Sequence, residues 1–121
     1  MAGFKKFEDI LGWQKARQIT KRIYEITTAA NFAKDFGLRD QIRRAAVSIM
    51  AKIAEGQGRH SDQEFANFLN IAPGSIAETQ SHPYIALDLQ YLTQEDFTEI
   101  YDLLDEVARM TMGLMKHLRN S

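Results

Sequence analysis

Apolar residues recur along this chain at intervals of three and four, the spacing that lines up side chains on one face of an α-helix. No run alternates apolar and polar positions as a half-buried strand would. The first segment, about residues 9–30, puts Ala16, Ile19, Ile23, Ile26 and Ala30 on one stripe and stops in the polar connection from Asn31 to Gly37. The second, about 37–56, repeats the pattern with Leu38, Ile42, Ala45, Ile49 and Ile53, while Ala46 and Met50 widen the face. Gly56 and Gly58 are expected to supply the left-handed backbone that ends it.

Ser61-Asp-Gln-Glu64 fits a capping box and predicts a third helix from about residue 62 to 91, populated by Phe65, Phe68, Leu69, Ala72, Ile76, Ala86, Leu87 and Leu89. Both prolines, Pro73 and Pro83, fall inside it, and an interior proline removes a donor and clashes one turn back. One kinked helix is expected; the competing reading breaks it near Pro83, with Ser81 capping a new start. Thr93 caps the last helix, about 94–119, in which Phe97, Ile100, Leu104, Val107, Thr111, Leu114 and Leu118 keep a heptad spacing. Four helices joined by short loops predict an all-α, antiparallel up-down-up-down four-helix bundle over one domain, residues 1–121.

Composition agrees with one globular domain: 45% of the residues are hydrophobic and 26% charged, with no cysteine. That excludes disorder, thiol catalysis and zinc–thiolate sites. No apolar run is long enough to span a membrane and the first residues lack a signal-peptide core, so the expected location is cytoplasmic, with no membrane partner. The formal charge of −1 conceals a split. Residues 1–60 hold twelve Lys/Arg against six acids, and residues 61–121 hold three against ten. Such a split provides a face for polyanions, complementary surfaces between copies, or pairing of the two halves within one monomer.

Catalytic patterns are absent: the sequence has no phosphate loop, no Gly-x-Ser-x-Gly elbow and no His-Glu-x-x-His. Glu78 and His82 have the wrong spacing for a bundle di-metal site, and His60, His82 and His117 show no pattern that would bring them together. A non-enzyme without catalytic, cofactor or metal residues is therefore expected. The basic residues are more informative. Lys15, Lys21 and Arg22, with Arg17 among them, line the first helix; Arg39, Arg43, Arg44 and Lys52 line the second, and Arg59 follows it. Arginine suits bidentate phosphate contact and lysine acts as a point charge, so these eight residues, Arg17 apart, are the candidate contacts to an RNA or DNA backbone. No aromatic platform interleaved with them is evident, which argues against base readout. Phe4, Phe7, Trp13, Met110 and Met112 lie beside the main stripes and call for a second buried surface, under the N-terminal segment or against another subunit.

Three blocks in order carry a resemblance: Phe7-Glu-Asp-Ile-Leu-Gly-Trp-Gln-Lys-Ala-Arg17, Gln41 to Arg59, and Phe65 to Glu78. The chain resembles the four-helix-bundle proteins encoded in bacterial 23S rRNA intervening sequences, also known as S23 ribosomal proteins, and the likeness includes Ala86 to Leu92. The resemblance implies a cytosolic antiparallel bundle that assembles as a homo-oligomer, typically a homopentamer. It also implies kinship with accessory variability proteins of retroelements, where such a barrel is associated with a reverse transcriptase and nucleic acid. Pro73, Pro83 and the acidic second half depart from the family pattern.

Overall fold

In a computed structural model of the chain, which describes residues 5–59 and 61–120, the three-four stripes become the buried faces of the helices. A 3-10 turn, Phe7–Asp9, leads into α1 (Leu11–Thr27), α2 (Ala30–Lys34), α3 (Phe36–Gln57), α4 (Asp62–Leu69), α5 (Ala72–Asp88) and α6 (Gln94–Arg119). Phe4 and His60, singled out above, lie outside the described residues. Helices α4 and α5 follow one another along one arm, so α1, α3, α4–α5 and α6 form the four arms of an all-α bundle.

Contacts between arms run in opposite numerical order, which makes neighbours antiparallel. On α1 and α3, Thr20 Oγ1 lies 3.5 Å from the Ala46 carbonyl and Thr27 meets Arg43. On α5 and α6, Gln80 Nε2 donates to the Tyr101 carbonyl at 3.3 Å, and the Tyr84 and Phe97 rings stand 4.6 Å apart. Ile23, Ile53, Phe65, Leu69, Leu104 and Val107 are all at most 1% exposed. Each such side chain stabilises the fold by roughly 1.5–3 kcal/mol relative to exposure. Phe7 and Trp13 pack edge to face, 5.0 Å between centroids, and lean on the core, so the N-terminal segment covers part of the apolar surface beside the first stripe.

The expected helices need four corrections. First, α1 is shorter than 9–30 at both ends: Thr27, fully buried, closes its stripe, while Ala30 is exposed at φ 40° and opens the extra short helix α2. Second, the 62–91 helix is neither simply kinked nor broken at Pro83. It breaks at Asn70–Ile71, because Pro73 cannot donate to the Leu69 carbonyl and its ring would crowd that group, so the break falls one turn upstream and Pro73 opens α5. Pro83 stays inside α5, on the buried face shared by Ile76, Thr79 and Ala86. Third, Gly58 ends α3 in a right-handed conformation, φ −73°. Gly56 is needed for space instead: a Cβ there would lie 2.8 Å from Phe65 Cδ1 and 2.9 Å from Phe68 Cβ. Fourth, the buried row of α6 passes from Thr111 to Met115, leaving Leu114 half-buried, because 3.6 residues per turn drifts from a strict heptad.

Two expected caps form: Ser61 Oγ accepts from Glu64 N at 3.1 Å and Thr93 Oγ1 from Asp96 N at 3.0 Å. A third, Asp35, accepts from Leu38 N at 3.2 Å and also from the Tyr91 hydroxyl at 3.1 Å, tying the α3 start to the α5–α6 turn. That turn is a Schellman motif, with Tyr91 N bonded to Ala86 O (2.8 Å) and Gln90 N to Leu87 O (3.0 Å). Its left-handed position, usually glycine, is Gln90 at φ 61°. Gln90→Gly is therefore expected to stabilise the protein by about 0.5–1 kcal/mol, measured by urea unfolding. A loss of stability would show that the glutamine side chain contributes more than its backbone strain.

Candidate nucleic-acid interface

The eight basic residues picked from the sequence divide among three surfaces. Lys15 and Arg22, seven residues apart on α1, turn toward α6. Lys15 Nζ lies 3.5 Å from Glu106 Oε1, while Arg22 donates from Nε to Glu99 (2.8 Å) and from Nη2 to Asp96 (2.9 Å). The hydrogen bond to Glu99 raises the Arg22 pKa above its ordinary value; burial opposes it, and the charges of Glu99, Asp96 and Glu25 add to it. These two cations are neutralised within the chain, so part of the charge split is pairing between its halves.

Arg44 and Lys52 lie on the other side, toward α5. Lys52 reaches Glu55 at 3.9 Å, one turn on. Arg44 lines an open groove of about 450 Å³ between α3 and α5 with Gln41, Ser48, Ser75, Glu78 and His82, in which the two serine hydroxyls are 3.0 Å apart. Its charge faces a carboxylate across that groove. Arg59, beyond the end of α3, lies over the Phe68 ring at 4.2 Å.

Arg43 reaches from α3 to Tyr24 and Thr27 on α1, with Arg39 one turn before it, and Arg17 and Lys21 are exposed on α1 beside that joint. Arg17, Lys21 and Tyr24 follow one another at spacings of four and three on α1. The Arg43 guanidinium stacks over the Tyr24 ring at 4.4 Å, which sets the level at which the two helices meet. Because the helices are antiparallel, Arg17, Lys21, Arg43 and Arg39 succeed one another along the bundle axis at intervals of about 4.5–6 Å. Two carboxylates lie along the row: Asp40, held by Arg39 Nε at 3.0 Å, and the exposed Glu25, four residues beyond Lys21 on α1. Arg17, Lys21 and Arg43 have no ion-pair partner among the described residues.

Sequence reasoning missed the aromatic backing of this row. Arg17 lies over Trp13 (5.9 Å), Arg43 over Tyr24 and Arg39 over Phe36 (4.8 Å). With Arg59 on Phe68 that makes four such stacks among the described residues, where about one per 70–80 residues is usual. Aromatic rings therefore do stand beside the basic residues, where the sequence made no aromatic platform evident. The i, i+4 spacing of Trp13 and Arg17 was a visible signal, whereas Tyr24 and Arg43 meet only across two helices. On the opposite flank, α5 and α6 expose Tyr84, and Gln80 holds Asp105 at 2.8 Å; Asp102 and Glu106 lie on the outer side of α6. The bundle is thus basic on one flank and acidic around α6.

Fold and flank together define an all-α four-helix bundle with a basic, aromatic-backed side. The chain belongs to the 23S rRNA-intervening sequence protein family, whose model matches residues 8–113. It is similar to a protein of unknown function from the S23 ribosomal protein family of Bacteroides thetaiotaomicron, known from its crystal structure. The two share 28% identity with a TM-score of 0.77, over 88% of this chain and 99% of that one. No curated protein matches the chain. No helix of the described residues is long and apolar enough to cross a membrane.

Proposed function

We propose that this protein is a non-enzymatic, homo-oligomeric bundle that associates with RNA through the α1–α3 flank. The observation that carries this reading is the row of Arg17, Lys21 and Arg43, which form no ion pair among the described residues while Lys15 and Arg22 are consumed by α6. A cation left unpaired on an exposed face keeps its full attraction for phosphate, and successive cations one turn apart follow a backbone without reading sequence. Membership of a family named for 23S rRNA intervening sequences supports RNA as the polyanion. The test is binding of a structured ribosomal RNA fragment and of duplex DNA across a salt series. Three or four phosphate contacts give a log–log slope of about −2 to −4, with the RNA bound more tightly. Absence of binding at low salt by folded protein removes the reading.

A second reading has its own support in the opposite charges of opposite flanks. The α1–α3 side of one copy would dock on the acidic α6 side of the next, a head-to-tail contact that closes into a ring when the rotation fits. Light scattering of an Arg17→Glu/Arg43→Glu variant separates the two, since only the scaffold reading makes it dissociate.

A further inference from the structure

We infer that the α1–α3 flank takes up an unpaired stretch of RNA by stacking its bases on the guanidinium planes of Arg17, Arg43 and Arg39, in addition to contacting its phosphates. The inference rests on the RNA reading above and names the kind of RNA. Its support is the way each plane is fixed. A phosphate contact needs only a positive charge at the end of a flexible stem, which lysine supplies equally well. Here three of the four cations in the row are arginines, and each lies over an aromatic ring.

Arg43 is held most firmly. Its Cζ lies over the Tyr24 ring, 4.4 Å from the centroid, and Nε donates to Thr27 Oγ1 at 2.8 Å. That hydroxyl is itself fixed, because it is fully buried and donates to the Ile23 carbonyl at 2.7 Å. The guanidinium is thereby held at its Nε and beside the ring, while its Nη N–H groups have no hydrogen-bond partner among the described residues. Arg39 is similarly tied, through Nε to Asp40 and through Nη1 to the Ala33 carbonyl at 3.1 Å. A plane ordered before binding loses little freedom when a base stacks on it.

The rings are also incompletely covered: Phe36 is 63% exposed and Tyr24 41%. Flat apolar surface beside unpaired positive charge matches a ligand with both flat faces and phosphates, and a base in a duplex has its faces already stacked.

The experiment compares an unstructured RNA oligomer, the same length as RNA duplex, and a ribose-phosphate oligomer of equal length lacking bases, by fluorescence anisotropy. Trp13, the chain's single tryptophan, lies under Arg17, so its emission should change with the based single strand and not with the abasic one. The single strand is expected to bind at least about tenfold more tightly than either competitor, the effect of stacking a base or two. Arg43→Lys, which keeps the charge and loses the plane, should erase about tenfold of the single-strand affinity and leave duplex binding within about twofold. Equal, steeply salt-dependent binding of all three oligomers would overturn stacking and leave the phosphate reading standing. No binding of any of them, with helical content intact by circular dichroism, would overturn both.

Discussion

Phe65→Ala is expected to lower the unfolding free energy by about 3–5 kcal/mol, a large share of the 5–15 kcal/mol that separates a typical folded domain from its unfolded chain. Phe65 is 1% exposed and stands where the start of α4 folds back on the end of α3. Its ring edge fills the space that Gly56 leaves by having no side chain. Gly56→Ala gains up to about 1 kcal/mol of helix propensity, but the new methyl would meet Phe65 and Phe68 at separations real side chains do not adopt. A net loss of about 1–3 kcal/mol is expected. In the Phe65→Ala background one of those two clashes disappears, so the double variant should be less destabilised than the sum by on the order of 1 kcal/mol. Urea unfolding of the two single variants and the double variant measures this coupling. Simple additivity would show that the α3–α4 joint is not close-packed around the glycine.

Arg17→Glu/Arg43→Glu is expected to weaken RNA binding by about 100-fold at low salt, because two phosphate contacts are replaced by two repulsions. The log–log salt slope should fall by about 1.4 on a single strand, at roughly 0.7 per lost contact. Arg44→Glu serves as the comparison. Arg43 and Arg44 are adjacent in sequence, yet the first lies over Tyr24 on the α1 side and the second opens on the α5 groove. At physiological ionic strength Arg44→Glu should leave affinity within about threefold, the level of a screened charge off the interface. If it reduces affinity as far as Arg43→Glu does, the α1–α3 row is not the interface. Losing the Thr27 bond and the Tyr24 stack should cost Arg43→Glu about 1–2 kcal/mol of stability, so thermal melting accompanies the binding measurement.

The bundle was largely legible in the chain because its evidence is local. The stripe of Leu38, Ile42, Ala45, Ile49 and Ile53 is buried residue for residue, and Ser61 and Thr93 cap the helices they precede. Apolar periodicity and capping need only neighbours three or four positions away. Misreadings arose where tertiary packing competes with a local rule. Pro83 is a helix breaker by propensity, yet it remains within α5 on a buried face, whereas Pro73 breaks the arm. Gly56 looked like a terminator, and its reason turned out to be a phenylalanine nine residues later on another helix.

The candidate interface was legible only as a count of charges. Twelve basic residues in the first sixty show that a cationic surface can exist somewhere. Which of them remain available depends on the crossing of helices. Arg22 and Lys21 are neighbours in the chain, but one turn-angle apart on α1 sends Arg22 onto Asp96 and Glu99 and leaves Lys21 exposed. The sequence by itself determined that this protein is a bundle of amphipathic helices with an uneven charge, since both follow from composition and short-range spacing. Only the tertiary structure decided which cations are neutralised and which are ordered on aromatic rings, because those contacts join residues far apart in the chain and depend on how the helices pack.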